Sequence, residues 1–382
     1  MALHLQPLNR RKLLQCAAAM AAGTAAAVRA QPGKTPPPSR QAIVAQIVDM
    51  SPGQQDVSRD FLVGSRAAWQ DINARGGLRG RPVQHLSIET DGSAAGARAA
   101  LGQIRDNPAC VALSGTVGDP LAGQVAALLR QDNLGIAHAA PWLQNSSVEV
   151  DERTFPIFAA RQEQIGHALK SLSIMGVQEL GAIYASAHEQ TLYREDVERI
   201  AASMKLKLLS LRPESDLKAL GQRLKQDTPA ILLFVGGTPE LVQFTQGLEK
   251  QARQRYVVAL ADVNLQTMAQ MGAARNTPVI VTQAVPMVTA SLPVVRAYRE
   301  TLARLFDEAP TSLSLAGFIA ARYTYEVLND LDGALTRQNA LAAFQRRASL
   351  DVGGYRISFN PQRRSGTYVT QSMLTTDGRV VG

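Results

Sequence analysis

The residues able to do chemistry in this chain are few, and their spacing matches none of the common catalytic patterns. Five histidines, His4, His85, His138, His167 and His188, are scattered without metal-ligand spacing. Cys110 lies inside the apolar run Ala109-Cys-Val-Ala-Leu113 and reads as a small buried residue. No Gly-x-Gly-x-x-Gly follows the first strand candidate, and there is no Walker loop, His-Glu-x-x-His pair or Gly-x-Ser-x-Gly elbow. What remains is a set of short polar loops. Ser114-Gly-Thr-Val-Gly-Asp-Pro120 offers Gly115, Thr116, Val117 and Gly118, whose small side chains permit close backbone approach, ahead of a helix start that suits a carboxylate. The alternative reading is a tight turn with Asp119 as N-cap. Two more loops, Asp49–Ser58 with Ser51 and His138-Ala-Ala-Pro-Trp142, follow strand candidates in the same way.

The elements that must position these loops alternate. The apolar run Ala42–Val48 is a strand candidate. Phe61, Gly64, Ala68 and Ile72 then recur at steps of three and four, marking one face of a helix that stops on Gly76-Gly77. Strands are predicted over 83–89, 109–113 and 134–139, with helices over 94–105 and 121–131. A second series follows Phe155-Pro-Ile-Phe158: helices over 163–175, 193–204, 215–226 and 239–251, and strands over 180–185, 206–211, 230–235, 256–260 and 279–283. The tail is mainly helical over 293–306, 313–331 and 338–347, with extended pieces over 357–360 and 368–374 and a turn at Asp377-Gly378. This is an α/β chain of two doubly wound, Rossmann-like halves, and ligands bind such sheets beyond the strand carboxyl ends.

The first thirty residues carry Arg10, Arg11, Lys12 and Arg29 but no acid, and Cys16–Val28 is apolar. That run is shorter than the about 20 residues needed to span a bilayer as a helix. Residues 1–30 read as a cleaved export signal, and 31–40 as a flexible leader. Asn9-Arg-Arg-Lys-Leu-Leu14 resembles a twin-arginine signal, with the general secretory route as the alternative. Gln15 ahead of Cys16 argues against a lipobox. Without the signal the chain keeps 36 Lys+Arg against 32 Asp+Glu, too mild a balance for nucleic acid. Arg346-Arg347 and Arg363-Arg364 read as solvated faces.

Asn73-Ala-Arg-Gly-Gly-Leu-Arg-Gly-Arg81 closely resembles the Asn-x-x-Gly-Gly-Ile/Leu-x-Gly-Arg signature of periplasmic proteins of leucine/isoleucine/valine-binding type. The resemblance covers nearly all of the chain after the signal. It implies a type I periplasmic-binding fold with three interlobe crossings, near 158–159, 283–284 and 368–369. Lobe 1 would be 41–158 with 285–368, and lobe 2 would be 159–284 with 369–382. It also implies ligand contacts. The Gly115–Gly118 loop matches the one that holds the ligand's acid group, and His138–Trp142 matches a Ser-Pro-Ala-Ala-Thr segment. There Pro141 replaces Thr, removing a hydroxyl and an N–H, so that Ala139 and Ala140 keep the backbone contact while His138 and Trp142 compensate. A lone His also serves as a structural residue. Tyr193 matches the tyrosine that closes over the ligand, with Arg194 in place of Gly, and Thr238 falls at or beside an aromatic position. Asp262 or Ala261 occupies the place of the acid that grips the ligand ammonium. The function implied is an exported, periplasmic and monomeric solute-binding protein that hands a small polar ligand to the permease subunits of an ABC importer, without cofactor or metal. A periplasmic sensory component is the alternative, and an enzyme on the same fold a weaker one.

Overall fold

Ile43–Asp49 is a strand buried along its whole length, as expected of a run flanked by helices on both faces. The computed structural model describes residues 41–272, 276–366, 368–375 and 379–382. The export segment 1–30, the leader 31–40 and the Asp377-Gly378 turn lie outside the described residues. The chain opens with β1 (Ile43–Asp49), α1 (Gln55–Ala74), β2 (Gln84–Thr90), α2 (Ala94–Arg105), β3 (Cys110–Ser114), α3 (Asp119–Gln131), β4 (Ala137–Ala139) and β5 (Thr154–Phe155). These strands form a parallel sheet in the order β2-β1-β3-β4-β5.

The second series is α4 (Arg161–Ile174), β6 (Glu179–Tyr184), α5 (Ala187–Ser203), β7 (Lys207–Ser210), α6 (Leu217–Gln222), β8 (Ile231–Val235), α7 (Thr238–Leu248), β9 (Tyr256–Ala259), α8 (Leu265–Gln270) and β10 (Val279–Gln283). The tail adds α9 (Pro293–Leu305), α10 (Ser312–Asn329), α11 (Arg337–Gln345), β11 (Leu350–Val352), β12 (Tyr355–Ile357), β13 (Thr370–Leu374) and β14 (Val380–Val381). The second sheet runs β14-β13-β10-β9-β8-β6-β7, parallel except for β13 and β14. The chain therefore changes sheets three times: after β5, after β10, when α9 and α10 pack against α1 and α11 against β3 and β4, and again before β13.

The glycine stop works as its sequence requires. Gly76 and Gly77 have φ of 107° and 71°, and the Gly77 N–H closes on the Ile72 carbonyl at 2.9 Å. Asn73 then holds both the N–H and the carbonyl of Val83, each at 2.8 Å, which aims the chain into β2.

Several elements start or end elsewhere than the pattern predicts. α5 begins at Ala187, not 193, because Ser186 caps it by accepting the Glu189 N–H at 3.2 Å. α4 begins at Arg161, behind a cap residue, Ala160, that has no capping side chain. Helix α8 and the β11–β12 hairpin, turned on Gly353-Gly354 with positive φ, were not predicted. The solvated reading of the arginine pairs fails for one member of each. Arg347 donates to the carbonyls of Asp151, Thr154 and Arg363 and lies over the Phe155 ring, while Arg364 donates to those of Leu143, Asn145 and Val148. Arg347 thus ties the tail to β5 and the backbone just before it, and Arg364 ties it to the irregular segment after β4.

Candidate functional site

Side chains from the carboxyl ends of both sheets meet around three buried charges. Gly118, at φ 99°, is the cap of α3, so Asp119 is its first residue rather than its N-cap. The Asp119 carboxylate instead accepts the N–H groups of Gln144 and Asn145 at 2.7 and 2.9 Å, and the Tyr193 hydroxyl of α5 at 3.1 Å. Arg161, first residue of α4, lies with its guanidinium 4.8 Å from the Tyr193 ring centre and donates through Nη2 to Asp262 Oδ2. The other Asp262 oxygen accepts the Trp142 indole N–H at 2.9 Å. Segments that follow strands of the two sheets thus touch through Asp119–Tyr193 and Trp142–Asp262. Asn264 adds a third tie, donating to Asp60 of α1 at 2.5 Å.

A second layer holds this group. Gln164 donates to the Ala159 carbonyl at 2.9 Å and to the Gln144 side chain, while its own oxygen accepts the Ala261 N–H at 2.9 Å and the Thr282 hydroxyl at 3.2 Å. Thr238 accepts the Asn264 N–H at 2.9 Å. Trp142 sits edge-on to Phe61 and tilted against Phe158, so its indole is fixed on the apolar side as well.

Burial sets the electrostatics. It pushes the Asp119 carboxyl up, against the pull of Arg161, and raises the Tyr193 phenol. Burial works against the Arg161 charge, but Asp262, with Tyr193, Glu189 and Asp119, more than offsets it and the guanidinium is held charged. Asp60 is pushed up to about 6 by burial, against hydrogen bonds from Thr311 and Asn264.

Of the candidates read from sequence, Trp142, Tyr193, Thr238 and Asp262 stand in this network. Thr116 borders it, its carbonyl accepting the Trp142 N–H at 2.8 Å. Gly115 and Val117 do not present free N–H groups: these bond the carbonyls of Ala139 and Ile47 at 2.9 and 3.1 Å. Ala140, at φ 48°, gives its N–H to Phe155, and Ser51 turns on the Asp49 carboxylate at 2.9 Å. His138 points to the opposite face of β4 from Ala137 and Ala139, which pack in the core with α1 and α10. It is fully buried, its ring nitrogens find no partner among the described residues, and burial holds it down to about 3. Ala261 contributes its N–H to the second layer, and the carboxylate that joins the network is that of Asp262.

Arg161, Gln144 and Gln164 were missed. Arg161 carries a signal, since a cation in the first turn opposes the helix dipole and needs a local reason.

Two sheets joined by three crossings, with polar groups converging at strand carboxyl ends, are the architecture of a two-lobed binding protein. The chain matches the sequence profile of the periplasmic binding protein family over residues 42–375 and belongs to that family. No curated protein matches it. Among solved structures it is similar to an extracellular ligand-binding receptor from Verminephrobacter eiseniae, with TM-score 0.80, 19% identity and coverage of 90% of this chain and 100% of that one. It is similar also to a fatty acid ABC transporter substrate-binding protein from Thermomonospora curvata, with TM-score 0.76, 14% identity, and 88% and 89% of the two chains covered. A third is the branched-chain amino acid transporter substrate-binding protein of Streptococcus pneumoniae in complex with isoleucine, with TM-score 0.74, 12% identity, and 89% and 98% covered. At these identities the likeness carries the fold. Among the described residues no helix is long and apolar enough to cross a membrane, and no group of three His, Cys, Asp or Glu side chains could hold a metal ion.

Proposed function

We propose that this chain is an exported solute-binding protein that takes a small polar ligand between two lobes and delivers it, as a monomer in the periplasm, to the permease subunits of an ABC importer. Lobe 1 is 41–158 with 285–368, and lobe 2 is 159–284 with 369–382. The observation that carries the reading is the pairing of Trp142 with Asp262 and of Tyr193 with Asp119, which puts the candidate ligand loops of both lobes against each other. Membership of the periplasmic binding protein family supports it. A ligand that touches both lobes favours the closed state by its differential affinity. Capture requires no chemistry from these groups, and the proposal includes no cofactor.

The test is a thermal shift of the mature protein against amino acids, amides, short carboxylates and aromatic acids. A ligand should raise the unfolding temperature in proportion to the logarithm of its concentration, about 2.7 kcal/mol of stabilisation at a hundredfold excess over Kd. The absence of a shift from every member would count against the proposal.

A further inference from the structure

The acid in this site already has a cation. Asp262 is buried, and its two oxygens are taken by Trp142 Nε1 and Arg161 Nη2. An ammonium arriving at Asp262 would have to displace the guanidinium or lie against it, and like charges repel most strongly where water is excluded.

Arg161 itself has donors left over. Its side chain is 4% exposed, yet Nε and Nη1 make no hydrogen bond among the described residues. Gln144 Nε2, next to it, is buried and finds no partner among the described residues, the Gln144 carbonyl accepting the Arg161 N–H at 2.8 Å. The Thr116 hydroxyl is likewise buried without a partner. Glu189, whose Oε2 is also unpartnered, faces Arg161 Nη1 at 4.0 Å and competes for that edge. Buried donors in excess call for an acceptor, and a guanidinium fork matches a carboxylate.

The opposite wall argues the same way. Gly115, Val117 and Ala140 give their N–H groups to backbone carbonyls, and Pro141 has none. These four positions therefore offer an acid group no main-chain donor. We infer that the ligand is a small carboxylate lacking an α-ammonium, and that Arg161, fixed by Asp262 and the Tyr193 ring, is the group that receives it. The inference rests on the solute-binding reading and names the ligand class.

Calorimetric titration of the mature chain with matched trios tests it: 4-methylpentanoate, leucine and 4-methylpentanamide, then 3-phenylpropanoate, phenylalanine and 3-phenylpropanamide, with benzoate beside benzamide. In at least one set the carboxylate should bind at least tenfold tighter than both its amino acid and its amide. Arg161→Gln should weaken that carboxylate at least about thirtyfold, as for a buried charged contact, and should raise the affinity for the amino acid by freeing Asp262. Should Arg161→Gln fold poorly, Arg161→Lys and the double change Arg161→Gln with Asp262→Asn serve instead. The first should keep the carboxylate preference, and the second should bind carboxylate and amide alike. An amino acid bound as tightly as its deamino partner, or a carboxylate affinity unmoved by Arg161→Gln, overturns the inference while leaving solute binding standing. No binding by any of these compounds overturns the inference, and solute binding itself falls only if the wider thermal-shift panel is blank as well.

Discussion

Single residues here divide into those held in a network and those buried alone, and His138 is the clearest of the second kind. Its ring is fully buried beside Thr154 across the strand pair, and both side chains are without hydrogen-bond partners among the described residues. Burial holds the folded pKa at about 3, and that of His85 at about 4, against 6.5 in the unfolded chain. The unfolded state therefore binds more protons in acid, so this contribution is complete above pH 6.5 and is lost as pH falls toward these values. At pH 5 each buried ring withdraws about 2 kcal/mol. His138→Leu should shrink the difference in unfolding free energy between pH 8 and pH 5 by roughly that amount, measured by urea denaturation. An unchanged difference would show that the ring is protonated in the folded protein. The same residue marks what sequence could say about the site. Trp142, Tyr193 and Asp262 were legible because they lie at strand ends or in family segments, whereas the side-chain direction of His138 depends on strand parity, which a short irregular strand does not reveal. Arg161 was missed because its partner, Asp262, is far away in sequence and only the fold joins them.

At the scale of elements, the contact between α1 and α10 decides how the helices on the first sheet pack. Gly64 and Gly317 let these helices approach until a Cβ at either would lie 1.7 Å from the Ser314 carbonyl oxygen or 1.9 Å from that of Phe61. Backbone cannot yield as a side-chain end does. Gly317→Ala should therefore destabilise by about 3 kcal/mol, whereas Gly102→Ala on the face of α2, where a Cβ meets only the tip of Arg105, should be neutral or stabilising by up to about 1 kcal/mol. Equal melting temperatures for the two variants would refute the close-crossing argument. Gly64 was legible as part of an apolar helical face, but its role as a contact point required the partner helix. The alternation of strands and helices was legible throughout for the same reason: buried parallel strands and one-sided helices impose different periods on the sequence. What escaped were elements whose cause is not periodic. Helix α8 is short and is set by the Asn264 cap, whose side chain accepts from Gln266 and Thr267, and the β11–β12 hairpin depends on two consecutive positive-φ glycines.

For the whole molecule, the proposed capture of a ligand between two lobes raises the question of what would let two sheets close as bodies while remaining one chain. The crossings lie side by side, and Tyr355 of β12 stands at two of them. Its hydroxyl is 2.8 Å from the Ile157 carbonyl and 3.3 Å from that of Ala284, and its ring packs on Phe158 and Tyr368. The third crossing is pressed onto the first at Gly366, where a Cβ would lie 2.7 Å from Ala159 Cα, and is tied to the second by the Thr370 hydroxyl on the Val285 carbonyl at 2.8 Å. A hinge absorbs closure in a few backbone angles, and a buried hydroxyl between the Ile157 and Ala284 carbonyls would couple the first two crossings. Tyr355→Phe removes the single O–H proton that the Ile157 carbonyl accepts and the Ala284 carbonyl shares, a loss of about 1 to 3 kcal/mol, without touching Trp142, Tyr193, Arg161 or Asp262. Its melting temperature should fall. On the solute-binding proposal, the contraction that small-angle scattering is expected to record on adding ligand should also change, because crossings that move independently would widen the unliganded ensemble. A variant that melts as the parent does and contracts by the same amount would show that the crossings are coordinated by backbone packing at Gly366 instead of by the tyrosine.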